Sequence, residues 1–99
     1  MAKLDYVELP VTSANEGVKF YGDAFGWSFV RYRESYAAHE EGPCQLGVDG
    51  TDDPRKTVAI LPVIRVDDLE AAHASVLAAG GQITQKIFAF PGGRRFHFH

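Results

Sequence analysis

The sequence predicts an α+β fold built from a strand–helix–strands unit that occurs twice. Three observations carry this reading: period-two alternation over 4–11, capped amphipathic text over 13–26, and the return of the same element order at an offset of 55 residues. At that offset Val11 falls on Val66, Ser13 on Asp68, Tyr21 on Val76 and Gly26 on Gly81. Few residues are identical, but element order and helix boundaries agree.

Each element follows from its local text. "LDYVELPV" places Leu4, Tyr6, Glu8 and Pro10 on one side of a strand and Asp5, Val7, Leu9 and Val11 on the other. The second side is mostly apolar and suits a helix packed against it; the first carries Tyr6 and Glu8 toward whatever the sheet encloses. Ser13 and Glu16 have capping-box spacing, which satisfies backbone N–H groups at a helix start. Ala14, Val18, Tyr21 and Phe25 form the stripe expected to be buried, and Gly26 stands where the helix should stop. Gly17 and Gly22 weaken this helix, which leaves its stability to packing.

"WSFVRYRES", "YAAHE" and "CQLGV" read as strands, the last after a Gly42-Pro43 turn, and "DGTDDPRK" as a polar loop. The order then restarts with the β-branched "TVAILPVIRV". The helix "DDLEAAHASVLAAGG" follows, capped by Asp67 or Asp68, with Leu69, Ala72, Val76 and Leu77 as its expected buried stripe and Gly80-Gly81 as its end. "QITQKIFAF" and "RRFHFH" make a hairpin around Pro91-Gly92-Gly93, with Phe96 and Phe98 on one face and Arg95, His97 and His99 on the other.

The 99 residues suit one domain, 1–99, with a first module over 1–50, a linker over 51–56 and a second, incomplete module over 57–99. A net charge of −3 argues against nucleic acid as a partner. No apolar run approaches a membrane span, and the first residues lack a signal-peptide core. A single cysteine, Cys44, forms no intrachain disulfide, so the expected location is cytoplasmic.

Among polar residues Glu8 stands out, because it shares a face with Tyr6 inside apolar text. It reads either as an enclosed carboxylate serving as a general base, or as an ion-pair partner of Arg31, Arg33 or Arg65. His39 is a lone histidine on a short strand, and His73 reads as a solvent-edge helical residue. Tyr32, Tyr36 and Trp27 can line an aromatic pocket, or Trp27 can pack behind the helix. Arg94-Arg95 follows two glycines, but no helix follows to supply converging N–H groups, so it reads as a basic, solvent-facing turn. No serine lies in a nucleophile-elbow context.

"YVELPV", "VKFYGDAFGW", "IRVDDLEAAHASVLAAGG" and "FPGGRRFHF" together resemble the vicinal oxygen chelate superfamily, which includes glyoxalase I, bleomycin-resistance proteins and extradiol dioxygenases. The resemblance covers nearly the whole chain. Its most specific pieces, "FYGDAFGW" and "VDDLEAA…AAGG", are packing and capping signatures, so they speak to the fold more than to the chemistry. The resemblance implies paired βαβββ modules whose eight strands form a cup-shaped mixed sheet around a small ligand. It also implies that the last strand of the second module, which similar members reach through an Asp-Pro-x-Gly-Asn turn, is absent from this sequence.

Metal-dependent members supply one ligand from each of four strand positions. Carried over by resemblance, these fall on Tyr6, near Gln45, on Leu61, and in the strand not present. Leu61 has no donor atom and Tyr6 is a poor ligand for hard divalent ions, so a divalent metal is disfavoured, with Glu8 and Gln45 as the weak metal candidates. The implied function is handling of a small molecule, by a lyase, isomerase or dioxygenase relative lacking the usual metal ligands. The alternative is non-catalytic binding of a drug or metabolite, as in bleomycin-resistance proteins. Glu8 is then the candidate catalytic group, and Tyr6, Tyr36, His39, Gln45 and His97 are the candidate ligand contacts. A homodimer is expected.

Overall fold

The computed structural model describes residues 2–53 and 58–99, which form two units, Lys3–Arg65 and Val66–His99 with Ala2. Of the expected loop "DGTDDPRK", Pro54, Arg55 and Lys56 lie outside the described residues, as does Thr57 at the start of the expected fifth strand.

In the first unit, strand β1 (Lys3–Pro10) leads into helix α1 (Ala14–Phe25), and β2 (Val30–Arg33), β3 (Tyr36–His39), β4 (Gln45–Asp49) and β5 (Leu61–Arg65) follow. The sheet order is β2-β3-β4-β1-β5. β1 is central: it runs parallel to β4, with Tyr6 beside Gln45 and Glu8 beside Gly47, and antiparallel to β5, with Glu8 beside Leu61. The sheet is therefore mixed, as expected. β5, which the repeat assigns to the second module, is hydrogen-bonded into the sheet of the first unit.

Helix α1 starts where the capping text places it. Ser13 is extended (φ −143°, ψ 129°) and its hydroxyl accepts from the Glu16 N–H, while Gly26 closes the helix in the left-handed region at φ 72°, which glycine reaches without a Cβ penalty. The buried positions are Ala14 and Gly17; Val18 and Tyr21 are half-buried, and Phe25 is 59% exposed. The expected stripe is thus rotated toward Gly17, because the closest helix–sheet approach is there: a Cβ on Gly17 would stand 3.4 Å from Val48 Cβ. Val48, fully buried, anchors this interface together with Ala37 on the neighbouring strand. A fully buried valine contributes roughly 1.5–3 kcal/mol.

The second unit contains α2 (Leu69–Ala78), β6 (Ile83–Phe90) and β7 (Gly93–Phe98). Asp68 caps α2, its carboxylate accepting the Ala71 N–H at 3.0 Å. The two N-caps, Ser13 and Asp68, thus keep the offset read from the repeat. Leu69, Ala72 and Val76 are half-buried, but Leu77 is 51% exposed, a correction to the expected stripe. His73 takes that place, with its ring edge-on to Phe96 at 5.0 Å, so it is not the solvent-edge residue expected. β6 and β7 form a separate two-stranded sheet. Seven strands are present among the described residues, and β5 and β7 each pair on one side only.

Candidate functional site

Strand parity sorts the first unit's sheet into two faces. Val7, Leu9, Leu46, Val48, Ala37 and His39 lie on the face that meets α1, while Tyr6, Glu8, Gln45, Gly47, Tyr36, Leu61 and Val63 share the other. The candidate residues gather on that second face. The Tyr6 and Tyr36 hydroxyls are hydrogen-bonded to each other, and the Tyr36 hydroxyl donates to Glu8 Oε2 at 3.2 Å. A phenol has one proton, so with Tyr36 donating to the carboxylate, Tyr6 donates to Tyr36. The result is a directional chain, Tyr6 to Tyr36 to Glu8.

Gly47 makes this meeting possible. Any Cβ at Gly47 would collide with both hydroxyls and would stand 2.8 Å from Tyr36 Cζ. Burial, with hydrogen bonding and the negative charge of Glu8 adding to it, pushes the Tyr36 phenol well above the ordinary tyrosine range. Tyr36 is therefore a fixed neutral donor, and Glu8 keeps its second oxygen, Oε1, without a hydrogen bond from any described residue. None of the arginines weighed as its partner is bonded to it: Arg31 holds Asn15 and the Glu34 carbonyl, and Arg65 pairs with Asp5 at 3.2 Å. At the rim, the Tyr32 hydroxyl donates to the Glu40 carboxylate, which raises the Tyr32 phenol.

The remaining candidates are distributed differently. Gln45 lies beside Tyr6, its amide donating to the Glu40 carbonyl at 3.3 Å. His39 is on the opposite face, 8% exposed, its ring stacked on Trp27 at 4.7 Å and its Nδ1 3.0 Å from the Ser28 carbonyl. Trp27 also stacks on Tyr21 of α1 at 6.0 Å, so both rings belong to helix–sheet packing. His97 belongs to the second unit, next to Phe88 at 5.7 Å.

Tyr6, Gln45 and Leu61, on or near the positions that the resemblance assigns to metal ligands, are neighbours of Glu8 in the register of β1, β4 and β5. Their chemistry does not fit a divalent ion: a phenol engaged with another phenol, a carboxamide and an alkyl chain. Among the described residues no group of three His, Cys, Asp or Glu side chains is placed to hold one.

One participant in the cluster, Gly47, and one residue of the hairpin outside it, Arg95, are not singled out by sequence reasoning. Gly47 is an interior strand glycine, a recognised sign of close approach, and that signal was present in "QLGV". Arg95 was grouped with Arg94 as a solvent-facing turn; the structure separates them. Arg94 is exposed and forms a two-pronged bond with Glu70, whereas Arg95 is half-buried on the other face of the hairpin.

A five-stranded mixed sheet with a helix on one face and a polar cluster on the other, together with a second unit of one helix and a hairpin, makes an α+β fold. The chain belongs to the glyoxalase/bleomycin resistance protein/dioxygenase superfamily, whose family model matches residues 3–98. No curated protein matches it in sequence.

Among solved structures it is similar to a hypothetical protein from Bacillus halodurans C-125, at TM-score 0.77 and 18% identity over 99% of this chain and 84% of that one. It is also similar to an NAD-dependent benzaldehyde dehydrogenase from Legionella pneumophila, at TM-score 0.74 and 14% identity over 92% of this chain and 84% of that one. A glyoxalase-related enzyme from Fulvimarina pelagi aligns at TM-score 0.48 and 18% identity over 97% of this chain and 78% of that one. At these identities the likeness speaks to the fold alone.

Proposed function

We propose that this chain binds a small organic molecule at the Tyr6–Tyr36–Glu8 cluster and that Glu8 moves a proton there, without the divalent metal that metal-dependent relatives use. The observation that carries the reading is the hydroxyl chain ending on one carboxylate oxygen over Gly47. Tyr36, held neutral, donates to Oε2, leaving Oε1 to accept a proton or a hydrogen bond from a hydroxyl or an acidified C–H of the ligand. Tyr6 orients Tyr36. Gln45 and Leu61 flank the cluster, one polar and one apolar, which suits a ligand with a polar end and a hydrocarbon edge. Isomerisation or elimination next to a carbonyl is the reaction class such a base serves.

A second reading, binding without turnover, is favoured by the same hydrogen bonds: both tyrosine hydroxyls are already committed, which gives a set donor–acceptor surface and no nucleophile. A thermal-shift screen of small carbonyl and hydroxyl compounds tests both, because a saturating ligand raises the melting temperature by mass action. Hits that exchange a ligand C–H for solvent deuterium in the wild type but not in Glu8→Gln support proton transfer. Hits that bind without exchange leave the binding reading, and hits whose shifts survive both Glu8→Gln and Tyr36→Phe overturn the site. A cytoplasmic homodimer remains part of the proposal; light scattering that gives a monomer at micromolar concentration would remove the dimer.

A further inference from the structure

The β6–β7 hairpin carries a second cluster that the Tyr6–Tyr36–Glu8 reading does not use. Arg95 sits beside Phe88 in the strand register, and its guanidinium lies over two rings, 4.9 Å from the Phe90 centroid and 5.4 Å from that of Phe88. His97 continues the row at 5.7 Å from Phe88. Arg95 Nε and His97 Nε2 are both buried without a hydrogen-bond partner.

Charge is uncompensated here. Arg65 has Asp5 and Arg94 has Glu70, but among the described residues no carboxylate reaches Arg95. A half-buried guanidinium whose carbon stands 4.9 and 5.4 Å from two phenyl centroids is confined by them, and its terminal nitrogens form a fork, the geometry that receives a carboxylate through two parallel hydrogen bonds. Burial, and then the neighbouring positive charge of Arg95, keep the His97 imidazole below its ordinary pKa, so it adds a neutral donor or acceptor rather than a second cation.

From this we infer that Arg95, Phe88, Phe90 and His97 form a subsite for a small aromatic or aliphatic monocarboxylate. The acid group bonds the Arg95 fork, and the hydrocarbon lies along the phenyl rings. A single positive charge, with Arg94 turned to the other face and bonded to Glu70, matches a monoanion better than a phosphate.

Titration of the full chain with sodium benzoate, followed by calorimetry and by the His97 ring resonances, tests the assignment. Saturable binding that shifts the His97 signals is expected, weakened roughly tenfold or more in Arg95→Leu, as suits the loss of a charge-assisted two-pronged bond. Arg95→Lys is expected to fall in between and Arg94→Leu to match the wild type. The assignment is overturned if benzyl alcohol or inorganic phosphate binds as tightly as benzoate, if no saturable binding occurs, or if Arg94→Leu loses as much as Arg95→Leu. Should Arg95→Leu fail to fold, Arg95→Lys decides, since unchanged affinity there overturns the assignment equally.

Discussion

Gly47 stands beside Glu8 in the parallel pairing of β1 with β4, and its missing side chain is the space in which the Tyr6 and Tyr36 hydroxyls meet. Gly17, by contrast, is packed at ordinary van der Waals distances, 3.4 Å from Val48 Cβ and 3.5 Å from Val11 Cγ1. The same substitution should therefore have opposite signs. Gly47→Ala is expected to destabilise by about 1–3 kcal/mol through overpacking, and to abolish ligand thermal shifts at the cluster. Gly17→Ala is expected to stabilise by about 0.5–1 kcal/mol, since the helix interior gains an alanine without a clash. Urea unfolding of both variants measures each sign.

Removing one hydroxyl should matter by position along the chain Tyr6 to Tyr36 to Glu8. Tyr36→Phe strips the donor from a part-buried carboxylate and the acceptor from Tyr6, and is expected to cost roughly 1–3 kcal/mol. Tyr6→Phe removes only the outer donor and should cost less. The double variant should cost less than the sum, because both changes break one network; a double-mutant cycle with zero coupling would refute the connection.

The pH dependence separates the two clusters. Tyr36 has a folded pKa raised above the unfolded value near 10, so the folded chain holds this proton more tightly. Its contribution to stability is complete below pH about 10 and declines above it. In an ultraviolet titration of the folded protein, Tyr36 should resist ionisation until unfolding, and Tyr36→Phe should remove that resistant contribution. For His97 the folded pKa lies below the unfolded value near 6.5, so the unfolded chain binds the proton better. Stability is then retained above pH about 6.5 and is lost as pH falls below it through the lower folded pKa. Arg95→Leu removes one of the two causes and should raise the His97 midpoint in a proton-resonance titration.

His39 offers a check on the division of faces. Its ring stacks on Trp27 and its Nδ1 meets the Ser28 carbonyl, both on the helix side of the sheet. His39→Ala is expected to destabilise by about 1–3 kcal/mol while leaving ligand affinity at Glu8 unchanged. Loss of binding in a variant that remains folded would place His39 in the site after all.

What the sequence disclosed was what depends on local text. Ser13, Asp68 and Gly26 work through neighbours three or four residues away, so capping residues are readable before any tertiary structure exists. Strand parity likewise put Tyr6 and Glu8 together. The exposure of Phe25 is not legible because a helical stripe gives a face but not the point of closest approach, which for α1 depends on Val48 from a distant strand; in α2 it is His73 that meets Phe96, and Leu77 is left exposed. Tyr36 and His39 are three residues apart on one short strand, so parity sets them on opposite faces, and pairing with β4 shows which of them faces α1. The environment of Arg95 depends on rings supplied by the preceding strand, which "RR" alone does not reveal.

The central place of β1 also sets a timetable for biosynthesis. Both of its neighbours, β4 and β5, are encoded later in the chain. At synthesis rates of roughly 5–20 residues per second, β1 waits several seconds with both edges open before β4 emerges, and longer with one edge open before β5 does. During that interval α1, capped by its own text, is the structure already able to form. Ribosome-bound chains that carry Ser13→Ala should therefore be more readily captured by chaperones than those carrying a substitution in α2.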